Sequence, residues 1–282
     1  WYQGGLYHDN EDFTVPALWV NSWYDLSVAP NIELFNHVRN NASDERVREN
    51  QFMIIGPTEH CHMYRLRTPH VTGDRSMGEV HFGLDDIVYS FFDHYMKGAR
   101  NSFPKEQPTV RYFSMGSNEW QTSESWPPAG ATRTRLYLYS GGQANTLLGD
   151  GLLLPDPPVA TNKDTFVYDP MNPVPSRGGN VCCLGDTVAP GSFDQRSIEA
   201  RNDVLVYTSE PLDHDLELSG PIDVVLFVSS DAKDSDFTIK LLDVDTEGAA
   251  WNLDETIRRA RYRQGFDREV FMEADAVYEL RL

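Results

Sequence analysis

Two apolar runs without alternation constrain the N-terminal part of this chain more than any other feature. Val15-Pro16-Ala17-Leu18-Trp19-Val20 and Phe52-Met53-Ile54-Ile55 offer no polar face. Strands of that kind are buried on both sides, as in a parallel sheet covered by helices. Between them, Ala29-Pro30-Asn31 opens a helix, with Pro30 tolerated in the first turn and Ile32, Phe35 and Val38 on one face. Asn40-Asn41-Ala42-Ser43 ends it. Strand, crossover helix, strand is the unit that makes parallel neighbours. A further helix is predicted over 85–98, with Leu84, Ile87, Val88, Phe91 and Tyr95 as its stripe. Asp85 and Asp86 suit its positive end, Lys97 its negative end, and Gly98 can close it.

Residues 99–108 read as a linker, and beyond them the pattern changes. Val110–Phe113, Arg135–Tyr139, Phe166–Tyr168, Val204–Tyr207, Val224–Val228 and Phe237–Leu241 are short β-type runs separated by Pro, Gly, Asn and Asp clusters. The expected fold class is α/β plus all-β: an α/β domain over 1–105, then a β-sandwich over 106–282. The opening Trp1-Tyr2-Gln3-Gly4-Gly5 reads like mid-chain loop, and Val277–Leu282 alternates like a strand. The expectation is a piece of a longer protein.

A net charge of −19 argues against nucleic acid, whose phosphates need Lys and Arg to replace their counterions. No apolar run approaches the roughly 20 residues that span a bilayer. Cys61, Cys182 and Cys183 make no disulfide framework and read as small reduced hydrophobes, which favours a cytoplasmic over a secreted setting. An oligomer is compatible with this composition.

Ligands of open α/β sheets bind beyond the carboxyl ends of the strands. Asp25 follows one strand end and His60 the next. Adjacent strands lie about 4.8 Å apart, so the two side chains can meet. A carboxylate on one imidazole nitrogen fixes the tautomer and leaves the other nitrogen free to take a proton. Trp23 at the same exit is a candidate pocket wall, and Glu59 is expected to face solvent. His60-Cys61-His62 lacks a third ligand in sequence and is poor evidence for a metal, so no cofactor or metal is expected. Asp243–Gly248 imitates a calcium loop, but its strand-like flanks favour a hairpin turn.

"VPALWVNSWYD", "IIGPTEH", "GEVHFG" and "FFDHYMKG", followed by "VRYFSMGSNEWQTSESWPP", "YDPMNPVPSRGG", "FDQR", "DVLVYTSEPL" and "SDFTIKLLDV", come in the order seen in cocaine esterase-like hydrolases. These are grouped with the X-Pro dipeptidyl-peptidases and α-amino-acid ester hydrolases. The resemblance covers nearly the whole chain. It implies the C-terminal part of an α/β-hydrolase domain followed by a jelly-roll β-sandwich, incomplete at its C-terminal edge. It also implies a Ser-His-Asp triad working through an acyl-enzyme, with Asp25 and His60 as two members. The serine sits on a G-x-S-x-G turn that these 282 residues lack, and chain order puts it upstream of Trp1. The chain alone is therefore expected to be inactive.

The implied substrate is a small ester or amide, or a short peptide, and the resemblance favours an ester over an X-Pro peptide. The α-amino-acid ester hydrolases carry acidic residues two and three positions after the triad Asp. Here those positions are Ser27 and Val28, which puts an ammonium pocket of that kind in doubt. Cys182 and Cys183 match the stretch that lines the acyl pocket in cocaine esterases. A reading of another class is a non-catalytic β-sandwich binding module with Trp120 and Trp126 as exposed platforms.

Overall fold

The computed structural model describes residues 11–160, 162–182 and 187–282, so Cys183 lies outside the described residues. Strands β1 (Ala17–Tyr24) and β2 (Gln51–Glu59) run parallel, with Ala17 opposite Gln51 and Ser22 opposite Gly56. Helix α1 (Val28–Asn41) and the short α2 (Glu45–Glu49) connect them. After β2 come a hairpin of β3 (His70–Thr72) and β4 (Arg75–Gly78), then α3 (Leu84–Lys97). Gly98 closes α3 at a φ of 66°, the left-handed region glycine enters freely.

Burial on both faces explains the missing alternation. Met53 and Ile55 pack with Phe35 of α1 on one side. Phe52 and Ile54 point the other way, toward Phe91 and Leu84 of α3. β2 is longer than the apolar run suggests. Gly56-Pro57 reads as a break, yet Gly56 pairs with Ser22 and the strand continues to Glu59. Gly56 leaves room for Met63: a Cβ there would stand 2.2 Å from Met63 Sδ and would displace the end of that side chain.

The run Val110–Phe113, expected in the sandwich, joins this sheet instead. β5 (Val110–Ser114) adds parallel to β2, and β6 (Glu119–Ser123) antiparallel to β5, giving the order β1-β2-β5-β6. Val110, Tyr112 and Trp126 complete the core around Phe35 and Met53. Phe103, within the expected linker, packs against Phe52 and Phe91. By packing, the first unit runs on through Ala131 and includes Asn180–Gly191.

The second unit, Thr132–Gly179 with Ser192–Leu282, is antiparallel. Among the described residues it contains β7 (Tyr137–Tyr139) paired with β8 (Leu152–Leu154), β9 (Val225–Val228) with β12 (Tyr278–Arg281), and β10 (Asp236–Val244) with β11 (Ala250–Arg259). These are three separate two-stranded ladders, not the paired four-stranded sheets of a complete jelly roll. The run Phe166–Tyr168 forms no strand; Val167 and Tyr168 are exposed. Val204–Tyr207 is extended but makes only isolated bridges, because its partner is the irregular segment around Ala144 and Thr146. The four-residue α4 (Arg196–Glu199) precedes it.

Buried Gln195 ties this unit together: its Nε2 donates to the carbonyls of Arg177 and Phe193 and to Asn252 Oδ1, while Lys240 donates to its Oε1. The β10–β11 turn is a hairpin. Asp245 Oδ1 accepts from the amides of Glu247 and Ala249, and its Oδ2 from the Trp251 indole.

Candidate active site

β1 and β2 end at the same edge of the sheet, and each leads directly into one candidate residue. The two strands are stitched at that edge by a 2.6 Å hydrogen bond between the buried hydroxyls of Ser22 and Thr58. Asp25 follows β1 and is 7% exposed. His60 follows β2 at the second position of a turn closed by His62 N donating to Glu59 O at 3.1 Å. Cys61, third in that turn, has a φ of 61°, a region costly for a residue with a Cβ. The turn brings His60 Nδ1 to 2.7 Å from Asp25 Oδ2. Only an acceptor faces Nδ1, so Nδ1 carries the proton and Nε2 is left basic.

The rest of the Asp25 carboxylate is held by the start of α1. Ser27 occupies the N-cap position, yet its side chain makes no capping bond to the helix. Its hydroxyl and its amide both donate to Asp25 Oδ1, at 2.7 and 2.8 Å. Asn21 Nδ2 donates to Ser27 Oγ at 3.2 Å, and Asn21 Oδ1 accepts from the Ser22 amide, which fixes which way each group points. Burial pushes the Asp25 carboxyl up, but the two Ser27 bonds and the His60 contact outweigh it and hold the carboxyl below its usual range. Asp25 therefore stays ionised opposite the imidazole. The sequence reading gives Ser27 no part in holding Asp25; the spacing Asp-x-Ser immediately before a helix is the signal that could have found it.

The other candidates fall as follows. Glu59 does not face solvent: its side chain is 13% exposed and its Oε2 lies 3.1 Å from His62 Nδ1. His70 is buried, which lowers its pKa. Trp23 is packed among Phe113, Trp126 and their neighbours, and its indole donates to Phe113 O at 2.7 Å. Cys182 is half-buried in the Asn180–Gly191 segment, which belongs to the same unit as Asp25 and His60. The tryptophan platforms of the binding-module reading are not formed. Trp126 is 8% exposed, and half-buried Trp120 packs on Phe82 and donates to Val80 O. Arg259, the last residue of β11, pairs with Asp236, and Arg261 just beyond it pairs with Asp234.

A buried carboxylate holding an imidazole beyond two parallel strands is an arrangement suited to proton transfer, as in hydrolases. Comparison with known proteins supports that class. Residues 101–282 match the model of the X-Pro dipeptidyl-peptidase C-terminal non-catalytic domain, a β-sandwich. The cocaine esterase of Rhodococcus sp. (strain MB1 Bresler) is 34% identical over 287 aligned residues, covering 100% of this chain and 47% of the esterase. The structure of an aminopeptidase from the marine sediment archaeon Thaumarchaeota archaeon superposes with a TM-score of 0.77 at 27% identity, over 97% of this chain and 45% of that one. An α-amino acid ester hydrolase shares the fold with the same TM-score, 24% identity and the same coverage. The chain thus spans a little under half the length of each. It belongs to the family of cocaine esterase-like hydrolases and carries the X-Pro dipeptidyl-peptidase type of C-terminal domain.

Proposed function

We propose that this chain supplies two members of the catalytic triad of a serine esterase, and that its first unit is the C-terminal part of an α/β-hydrolase domain. The observation that carries the reading is the 2.7 Å contact between Asp25 and His60 beyond adjacent parallel strands. A serine hydroxyl contributed by sequence preceding Trp1 attacks the substrate carbonyl. His60 Nε2 takes its proton and later returns it to the leaving alcohol. Asp25 holds the tautomer and stabilises the imidazolium that forms. The acyl-enzyme is then released by water activated by the same imidazole.

Ser27 and Val28 favour an ester without an α-ammonium group. The Ser27 hydroxyl is engaged by Asp25, and Val28 packs toward the Phe35–Met53 core, so neither offers a counter-charge. The same absence disfavours substrates with a free N-terminus, including X-Pro peptides. The test is parallel assay of an aryl butyrate and an X-Pro anilide with the protein extended upstream of Trp1. Hydrolysis of the ester, lost in His60→Ala, supports the reading; anilide cleavage without ester cleavage refutes the ester assignment.

A further inference from the structure

We propose, building on the reading of Asp25 and His60 as triad members, that one extra residue in β2 brings the two into register, and that Ser22, Thr58 and Thr72 are positioning residues that hold it in place. From Ala17 to Ser22, β1 pairs residue for residue with Gln51 to Gly56 of β2. Two residues further along β1, Tyr24 stands opposite Glu59, which is three residues further along β2. The ladder has therefore taken in one additional residue at Pro57-Thr58, a bulge of the kind that re-aims side chains beside active sites.

The consequence falls on the next residue of each strand. With the bulge, Asp25 follows Tyr24 while His60 follows Glu59, so carboxylate and imidazole leave the sheet side by side and meet at 2.7 Å. In unbroken register Asp25 would stand beside Glu59, a second carboxylate. His60 would be turned to the other face, since a one-residue slip reverses every side chain.

Three buried hydroxyls hold the additional residue. Pro57 has no N–H to leave unpaired, and its carbonyl accepts from Thr72 Oγ1 of β3. Thr58 Oγ1 lies 2.6 Å from Ser22 Oγ on β1. Ser22 also begins the turn that carries Asp25, whose amide donates to Ser22 O at 3.1 Å. Ser22, Thr58 and Thr72 are at most 2% exposed, so solvent does not stand in for these bonds. The bulge is thus pinned from β1 and from the β3–β4 hairpin. The three hydroxyls act through the backbone, because their partners are one another and the Pro57 carbonyl rather than Asp25 or His60.

The test uses the protein extended upstream of Trp1. Thr58→Val and Thr72→Val keep the side-chain shape and delete the hydroxyl; Thr58→Ser and Thr72→Ser keep the hydroxyl. Two readouts are taken well below Tm: kcat and KM on an aryl butyrate, and the low-field NMR resonance of the His60 Nδ1 proton, identified by its loss in Asp25→Asn. The valine variants are expected to lose kcat about tenfold with KM little changed, and to lose or shift that resonance. The serine variants keep both near wild-type values. An unchanged resonance in the folded valine variants, whatever their stability, or equal losses in the serine variants overturns the proposal. Ser22→Ala with Thr58→Val, which leaves neither hydroxyl orphaned, decides the matter if the single valine variants do not fold. NOE contacts in the wild type that set Tyr24 opposite Thr58 rather than Glu59 overturn it without any variant. The two readings fail separately. An inactive wild type whose resonance still responds to the valine changes defeats the esterase reading and leaves the bulge; an active one whose resonance does not respond defeats the bulge alone.

Discussion

The Ser27 hydroxyl donates to Asp25 Oδ1 at 2.7 Å instead of capping the helix it begins. An N-cap side chain normally contributes about 1 kcal/mol by accepting a helix amide. Here that contribution is forgone, and the donor fixes the plane of a carboxylate whose other oxygen faces His60. Asn21 supports it from β1, so the orientation of the imidazole traces back through Asp25 and Ser27 to the strand.

Replacing Ser27 by alanine tests this chain of contacts in the protein extended upstream of Trp1. Loss of a hydrogen bond to a charged group is expected to lower kcat roughly tenfold with KM little changed. The Asp25 carboxyl is depressed in the folded protein, and removing a donor raises it. The Asp25 ionisation, followed through its side-chain carboxyl carbon in an NMR pH titration, therefore moves to higher pH. Ser27→Thr, which keeps the hydroxyl, restores both. An unchanged Asp25 titration in Ser27→Ala refutes the positioning role.

Asp25→Asn leaves the shape of the site nearly intact but allows the wrong imidazole tautomer. The expected loss in kcat is about 10⁴-fold, with KM changing far less. Steady-state kinetics on an aryl ester measure it, and a loss below tenfold would remove Asp25 from the mechanism.

Gly56→Ala places a methyl group against Met63 Sδ. Overpacking of this kind is expected to cost about 1–3 kcal/mol in urea unfolding. The penalty shrinks in a Met63→Ala background, where the clash is gone, and a double-mutant cycle reads the difference. Equal penalties in both backgrounds contradict the packing.

Arg196 holds the Asp194 carboxyl down at about 2. A carboxyl depressed on folding stabilises the protein above its unfolded pKa and loses that contribution as pH falls through its folded one. Arg196→Gln is therefore less stable than the wild type above about pH 4. The gap closes as pH falls toward 2. Denaturant unfolding across that range checks it; a gap that is constant with pH excludes the ion pair as its source.

Periodicity made the sheet legible where burial on two faces left no polar side, as at Leu18-Trp19-Val20 and Phe52–Ile55. It failed where a partner strand decides. Val110–Phe113 is recognisably β in composition, but nothing in its own residues says that it adds to β2; that follows from Met53 N donating to Thr109 O and from the fit of Tyr112 against Trp126. Gly56-Pro57 has the propensity of a break, which the neighbouring strand overrides at Ser22. At the site, two strand exits one strand apart were enough to bring Asp25 and His60 together. The Asn21–Ser27 support was not, since it depends on a helix cap turned away from its helix. In the second unit, Phe166–Tyr168 had the composition of a strand and no ladder to join.

The central claim is that Asp25 and His60 serve a serine nucleophile, and one crystal structure measures it. The protein extended upstream of Trp1 would be reacted with an aryl phosphonate and solved as the adduct. The account predicts phosphorus bonded to a serine that precedes Trp1, with that serine's Oγ about 3 Å from His60 Nε2. An adduct on any other residue, or a modified serine out of reach of His60, would contradict it.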